Sequence, residues 1–366
     1  EILKYVENKN TKGGVFFYKA GVHKDFIKIL NKKVDVHATI DQEMSPGYDL
    51  KTYEKIIPNS FHEKTLNDID LYYCLNKVTY LAAKNSLGHS IKDIQFTGWP
   101  RFELFEKKYR NLFDHKVKKI KKKYGDFILF NSDFLFNSKY HKERALQYPP
   151  WGLENQKKKL KQHKKFILNH AKNNHIEFLK TVDFFKKISN KIDYKIVIRP
   201  HPGENIKAWE EKLKNTENIY FETAIDDVHP WIMACNGLLH RGCTTSYQSL
   251  YIKKPVGYLM AVNTKDKRKF YQDSWNFKKI PFKYSTKINN LISLKKWLKN
   301  PKKLGKKDIK IIEEEIGLNK LHPCKLICKS LQNYKINKEK KPKIKKVSPS
   351  KLKHYYYVLR NIILRR

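Results

Sequence analysis

Short apolar runs alternate with longer mixed stretches over most of the chain. "GGVFFYKAG" predicts a strand and a turn, followed by a helix from about Lys24 to Asn31. "VDVHATIDQE" predicts a strand ending in acids, and "LYYCLN" a short strand. "KVTYLAAKNSLG" predicts a helix stopped by Gly88. "IKDIQFTGWPRFELF" predicts a strand, a Gly-Trp-Pro turn and a new helix, and "DFILFNSDF" one more strand. Repeated strand–helix alternation of this kind builds a parallel sheet with its functional loops at the strand ends.

A Lys-rich, helix-forming section from about Tyr140 to Asn190 follows. Beyond it, "YKIVIRPHP", "NIYFET", "CNGLLHRG" and "KPVGYL" predict strands of a second parallel sheet. The expected fold is therefore α/β, with two Rossmann-like domains facing a central cleft. The expected boundaries are an N-terminal domain over 1–138, a helical connector over 139–190, a C-terminal domain over 191–334, and a basic linker with a C-terminal helix over 335–366. Clefts between domains are favoured ligand sites.

Two segments carry most of the candidate chemistry. Ile198–Asn205, "IRPHPGEN", follows an apolar strand and offers Arg199, His201 and Pro202. The flanking prolines stiffen the backbone at His201. His240–Leu250, "HRGCTTSYQSL", follows another strand and offers His240, Arg241, Thr244, Thr245 and Ser246. Backbone N–H groups at a helix start attract anions, and hydroxyls with Arg complete such a site. A Thr-Thr-Ser run is also an ordinary helix cap. The pattern points to a ligand bearing phosphate or nucleotide. In the first half, Asp41 and Glu43 share one side of a strand end by their i, i+2 spacing. Asp133 follows another apolar strand. Acids meeting over one cleft would suit general acid/base and nucleophilic work at a sugar carbon. Asp68 and Asp70 precede a strand and read as a solvated turn.

Composition changes this picture in one respect. The 366 residues hold 77 Lys+Arg against 36 Asp+Glu, a net charge of +41. Such a surface attracts phosphates, nucleic acid or an anionic membrane face. The excess is mostly Lys spread over helical stretches, which suits general electrostatics better than base reading. The five cysteines are an odd set without zinc-type spacing, and reduced thiols are expected. No apolar run approaches the roughly 18–20 residues of a membrane span, and no signal peptide is visible. The chain opens on Glu1 rather than Met, so a missing amino-terminal strand or helix is expected.

The ordered set "ATIDQE", "TGWPRFELF", "ILFNSDF", "RPHPGEN", "PWIMACNGLLHRGCTTSYQSL" and "KKPVGYL" resembles bacterial surface-carbohydrate biosynthesis proteins. Within these, it is most similar to GT-B-fold retaining β-Kdo transferases, over about Val34 to Leu259. "RPHP" with a following Ser/Thr cluster also occurs in glycerol-phosphate polymerases. The resemblance implies a GT-B-like fold and a CMP-Kdo donor. It implies Asp133 as the nucleophile of a covalent Kdo adduct and Glu43 as acid/base, with Asp41 the alternative. His201, Pro202, Thr244, Thr245 and Ser246 would bind the CMP moiety, with no metal. The acceptor would be a surface-polysaccharide glycan, free or lipid-linked, at the inner face of an anionic membrane, where each near-surface Lys or Arg contributes roughly 1 kcal/mol. Other donors (CMP-sialic acid, CDP-glycerol) are the enzyme alternative, and a basic nucleic-acid-binding protein is the alternative of another class.

Overall fold

A computed structural model describes residues 13–19, 34–41, 49–58, 61, 63–91, 93–137, 139–147, 157–224, 226–262, 281–318 and 322–334. The predicted helix near Lys24, Glu43 and everything beyond 334 lie outside these residues.

The front lobe is a four-stranded parallel sheet. Its strands are β1 (Val15–Lys19), β2 (Val36–Ile40), β3 (Leu71–Cys74) and β4 (Asp93–Phe96), in that spatial order. Helix α1 (Leu50–Ile56) lies between β2 and β3 in the chain, and α2 (Lys77–Leu87) between β3 and β4. Asn76 starts α2 through reciprocal bonds with Thr79, which satisfy two otherwise orphaned N–H groups. A 3₁₀ segment (Pro100–Phe105) follows the Gly98 turn.

Helix α3 (Asp114–Tyr124) leads into the rear lobe and β5 (Phe127–Asn131). Helices α4 (Lys139–Gln147) and α5 (Lys157–Ile188) then precede β6 (Lys195–Arg199). Helix α6 (Ile206–Leu213), β7 (Ile219–Phe221), α7 (His229–Ala234), β8 (Gly237–His240), α8 (Thr245–Tyr251), β9 (Val256–Leu259) and β10 (Thr286–Ile288) complete the sheet. Helices α9 (Leu291–Lys299), α10 (Lys306–Glu315) and α11 (Pro323–Asn333) follow.

The rear sheet has six parallel strands in the order β7-β6-β5-β8-β9-β10. Counted from β5 along the chain, that is 3-2-1-4-5-6, the doubly wound order, with its switch point between β5 and β8. Both strands are buried along their whole length, as helices on both faces require. Phe130, Phe134, Phe178, Phe185 and Trp209 fill one face of this core.

Two expected boundaries are corrected. β5 pairs with β6 and β8, so Phe127–Asn131 and the loop after it belong to the rear sheet, not to a domain ending at 138. The Lys-rich helical section is the crossover between β5 and β6 rather than a connector between domains. At the other end, Ile327 of α11 packs on Val36, Ala38, Leu71 and Tyr73 of the front sheet. The Tyr73 hydroxyl lies 3.1 Å from Ser330 Oγ, and the Tyr334 hydroxyl lies 3.0 Å from Asp70. The chain therefore returns to the front lobe before residue 334. Asp70 also accepts from the His37 N–H, so it ties two elements together instead of sitting in a solvated turn.

The lobes meet along a tight seam. Leu75, Trp99 and Phe102 pack with Tyr247, Leu250, Ile312 and Ile316. Gly98 (φ +84°) and Gly317 (φ +72°) touch backbone to backbone there. A Cβ on Gly98 would stand 2.3 Å from the Gly317 carbonyl oxygen, so only glycine fits.

Candidate functional site

Parallel doubly wound sheets bind ligands outside the carboxyl ends of their strands, at the switch point. Here Asn131, at the end of β5, is in register with Arg199 on one side and His240 on the other. The three segments singled out in the sequence therefore open onto one rim: 132–134 after β5, 200–204 after β6 and 241–245 after β8.

Asp133 is held by Arg241, whose Nη1 donates to Oδ1 at 2.9 Å. The Arg241 side chain is 0% exposed, and its other Nη donates to the buried Glu177 of α5. Its guanidinium also lies 4.0 Å from the Phe134 ring centroid. Asp133 remains 34% exposed, so its carboxylate is both fixed and reachable. The expectation that Arg241 contacts the donor is corrected, because its two Nη groups are committed to carboxylates inside the lobe.

Glu204 joins the neighbouring loops. Its carboxylate accepts from Ser132 Oγ at 2.8 Å, the Phe134 N–H at 2.8 Å, Trp209 Nε1 at 3.1 Å and the His201 N–H at 3.2 Å. Burial pushes its pKa up to about 7, against the donors that pull it down. The loop carrying Asp133 and the loop carrying His201 are thus one assembly. His201 itself is exposed, and its Nδ1 accepts from the Gly203 N–H at 3.1 Å. The neutral ring then carries its proton on Nε2, as a hydrogen-bond donor. Pro202 beside it is exposed.

Other predicted ligands turn out to be internal. His240 is fully buried: Nδ1 accepts from the Gly242 N–H at 3.0 Å, so Nε2 donates to Ser285 Oγ at 3.1 Å. Burial lowers its pKa to about 3, so the ring is neutral and spent on structure. Arg199 is buried beside Trp231 and donates to the Asp226 carbonyl; burial lowers its pKa. Ser246 is buried and its hydroxyl donates back to the Cys243 carbonyl at 2.7 Å, an intrachain cap. Thr245 Oγ1 accepts from Asn131 Nδ2 at 3.0 Å, linking β8's loop to β5. Thr244 and Thr245 remain half-buried at the rim, just past Gly242, whose φ of +122° turns the chain away from the strand.

In the front lobe, Asp41 ends β2 and is buried, accepting the Tyr72 hydroxyl at 2.8 Å. It lines a small hollow with Tyr53, Leu75, Asn76, Thr79, Trp99 and Glu315. Glu315 comes from α10, so the hollow lies on the seam. Glu43 lies outside the described residues, so the expected Glu43–Asp133 pairing has no described geometry.

Sequence reasoning missed Glu204, Glu177 and Ser132. Glu204 had a signal: it sits just ahead of Asn205, the N-cap of α6, in a loop already singled out. Glu177 had a weaker one, as one of two acids in the long Lys-rich helix.

No family model matches the sequence, and no curated protein matches it. Solved structures do show a likeness of chain architecture. One is UDP-GlcNAc 2-epimerase from Neisseria meningitidis bound to UDP-GlcNAc, at 13% identity and a TM-score of 0.46, covering 91% of this chain and 79% of that one. Another is the H444N variant of the wall teichoic acid polymerase TagF, at 12% identity and a TM-score of 0.48, covering 88% and 90%. A third is Methanocaldococcus jannaschii UDP-GlcNAc 2-epimerase in complex with UDP-GlcNAc and UDP, at 13% identity and a TM-score of 0.44, covering 85% and 77%. Among the described residues, no helix is long and apolar enough to cross a membrane.

Proposed function

We propose that this chain is a retaining glycosyltransferase that moves Kdo from CMP-Kdo to a surface-polysaccharide acceptor through a covalent Asp133 adduct. One observation carries the reading: a reachable Asp133 carboxylate, fixed by a buried arginine, stands at the switch point on the same rim as the loops that carry His201 and Thr244.

In the first step, an Asp133 oxygen attacks the anomeric carbon of Kdo. The bond from that carbon to the CMP phosphate oxygen breaks, and CMP departs with the electron pair. His201 Nε2–H, with the hydroxyl of Thr244, suits the charge on the leaving phosphate, while the Thr245 hydroxyl donates to Cys243 Sγ. In the second step, an acceptor hydroxyl attacks the same carbon from the opposite face and restores the Asp133 carboxylate. A base takes the hydroxyl proton; Asp41 and Glu43 are the front-lobe candidates. Arg241 supports the nucleophile by fixing its carboxylate in place, and Glu204 keeps the donor and nucleophile loops together. The cationic surface suits an anionic, lipid-linked acceptor.

Incubation with CMP-Kdo followed by product NMR tests the reading. Retained configuration in the transferred Kdo is expected. Inversion would remove Asp133 as nucleophile. Turnover of CDP-glycerol but not CMP-Kdo would transfer the site to another donor.

A further inference from the structure

A second cluster of ligand-type side chains stands apart from the residues of the transfer site. Glu103 and Glu106 come from the 3₁₀ segment and its exit, His322 from the residue that opens α11. One donor atom from each lies within 4.8 Å of the others. The two chain segments are more than two hundred residues apart in sequence and meet only because α11 returns to the front lobe.

The chemistry of the set is selective. Glu103 is 5% exposed. Its Oε1 accepts a long 3.3 Å bond from the Cys324 N–H. Among the described residues, no cation pairs with Glu103. A buried carboxylate held by a long bond from a neutral donor is costly unless a cation joins it. Glu106 is half-buried and makes a 3.3 Å pair with the exposed Lys108, a contact that solvent screens. His322 is exposed and opens the cluster to solvent.

We propose that Glu103, Glu106 and His322 bind a divalent first-row transition ion, best matched by Zn²⁺, which clamps α11 to the 3₁₀ segment at the seam. Two carboxylates and an imidazole make a three-ligand set that leaves room for water. The imidazole favours Zn²⁺, Co²⁺ or Ni²⁺ over Mg²⁺ or Ca²⁺, which prefer all-oxygen shells. Ligand bonds of about 2.1 Å need donor separations near 3.4 Å in a tetrahedral site. Small side-chain rotations on two exposed or half-exposed ligands close that gap. The Cys324 N–H donating to Glu103 then orients the buried ligand.

The test uses the full chain, stripped with chelator and titrated with Co²⁺ and then Zn²⁺. The expected result is one equivalent of Co²⁺ bound with visible ligand-field absorption, displaced by Zn²⁺, with a raised Tm. His322→Ala and Glu106→Gln should each weaken binding at least about tenfold. Both positions are exposed enough for the variants to fold, which unchanged circular dichroism would verify. Substoichiometric binding, or binding unchanged in both His322→Ala and Glu106→Gln, would overturn the site.

Discussion

Asp133 and Arg241 meet at 2.9 Å across the switch point of the rear sheet, one reachable from solvent and the other wholly enclosed. This pair converts a surface acid into an oriented one. Its cost is borne in the interior, where Arg241 also needs Glu177.

Removing Arg241 should therefore unfold more than it disarms. Arg241→Ala takes the arginine away from the buried Glu177, and loss of one member of such a group typically costs about 3–5 kcal/mol. Urea denaturation should show a drop of that order. The Arg241→Ala/Glu177→Ala double variant should be less destabilised than the sum of the singles, because the buried charge is gone. An additive result would deny the coupling.

Glu204 and His240 should tilt the pH dependence of stability in opposite directions. Glu204 has a folded value of about 7, above its usual 4.5. Its contribution is present below about pH 4.5 and is lost as pH rises through 7. His240 has a folded value of about 3, below its usual 6.5. Its contribution is present above about pH 6.5 and is lost as pH falls toward 3. Relative to wild type, Glu204→Gln should gain stability with rising pH between 4.5 and 7, by roughly 1–3 kcal/mol. Denaturation curves at four or five pH values check the sign, and a pH-independent difference would show that Glu204 does not titrate there.

The seam between the lobes should tolerate no side chain at Gly98. Gly98→Ala drives a Cβ against the Gly317 carbonyl at a separation where backbone must move. A cost of about 1–3 kcal/mol or more is expected from overpacking and positive φ together. Gly125→Ala is the control, since it also has positive φ but nothing within 4 Å of the added Cβ. Thermal melts should show the larger fall for Gly98→Ala. Equal falls would reduce the seam effect to backbone strain alone.

His201 should act on the donor rather than on the fold. It is exposed, Glu204 anchors its loop through the backbone, and the ring's bond within the loop is a single one from the Gly203 N–H. His201→Ala should leave Tm nearly unchanged and weaken nucleotide binding about tenfold, measured by calorimetry with CMP. A large loss of Tm would reassign the ring to structure.

Much of the architecture was legible in the chain because buried parallel strands are short, apolar runs. "FILFN", "KIVIR", "GLLH" and "VGYL" were all placed correctly as strands. What the pattern does not encode is which strands are neighbours. The long basic helix after β5 looked like a break between domains, yet it spans a crossover within one sheet. Asp133 was thereby assigned to the wrong lobe. The rim was legible too, but roles within it were not. His240, Arg241, Arg199 and Ser246 are the polar types a phosphate site uses, and each is spent on an internal partner. Burial at a strand end depends on the helices packed over it, which local sequence does not report.

The nucleophile is open to direct measurement. Wild-type protein quenched after mixing with CMP-Kdo, without acceptor, should gain the mass of one Kdo residue, and peptide mapping should place it on Asp133. Asp133→Ala should show no adduct while still binding CMP. An adduct that persists in Asp133→Ala, or turnover of CMP-Kdo in that variant at the wild-type rate, would contradict the account.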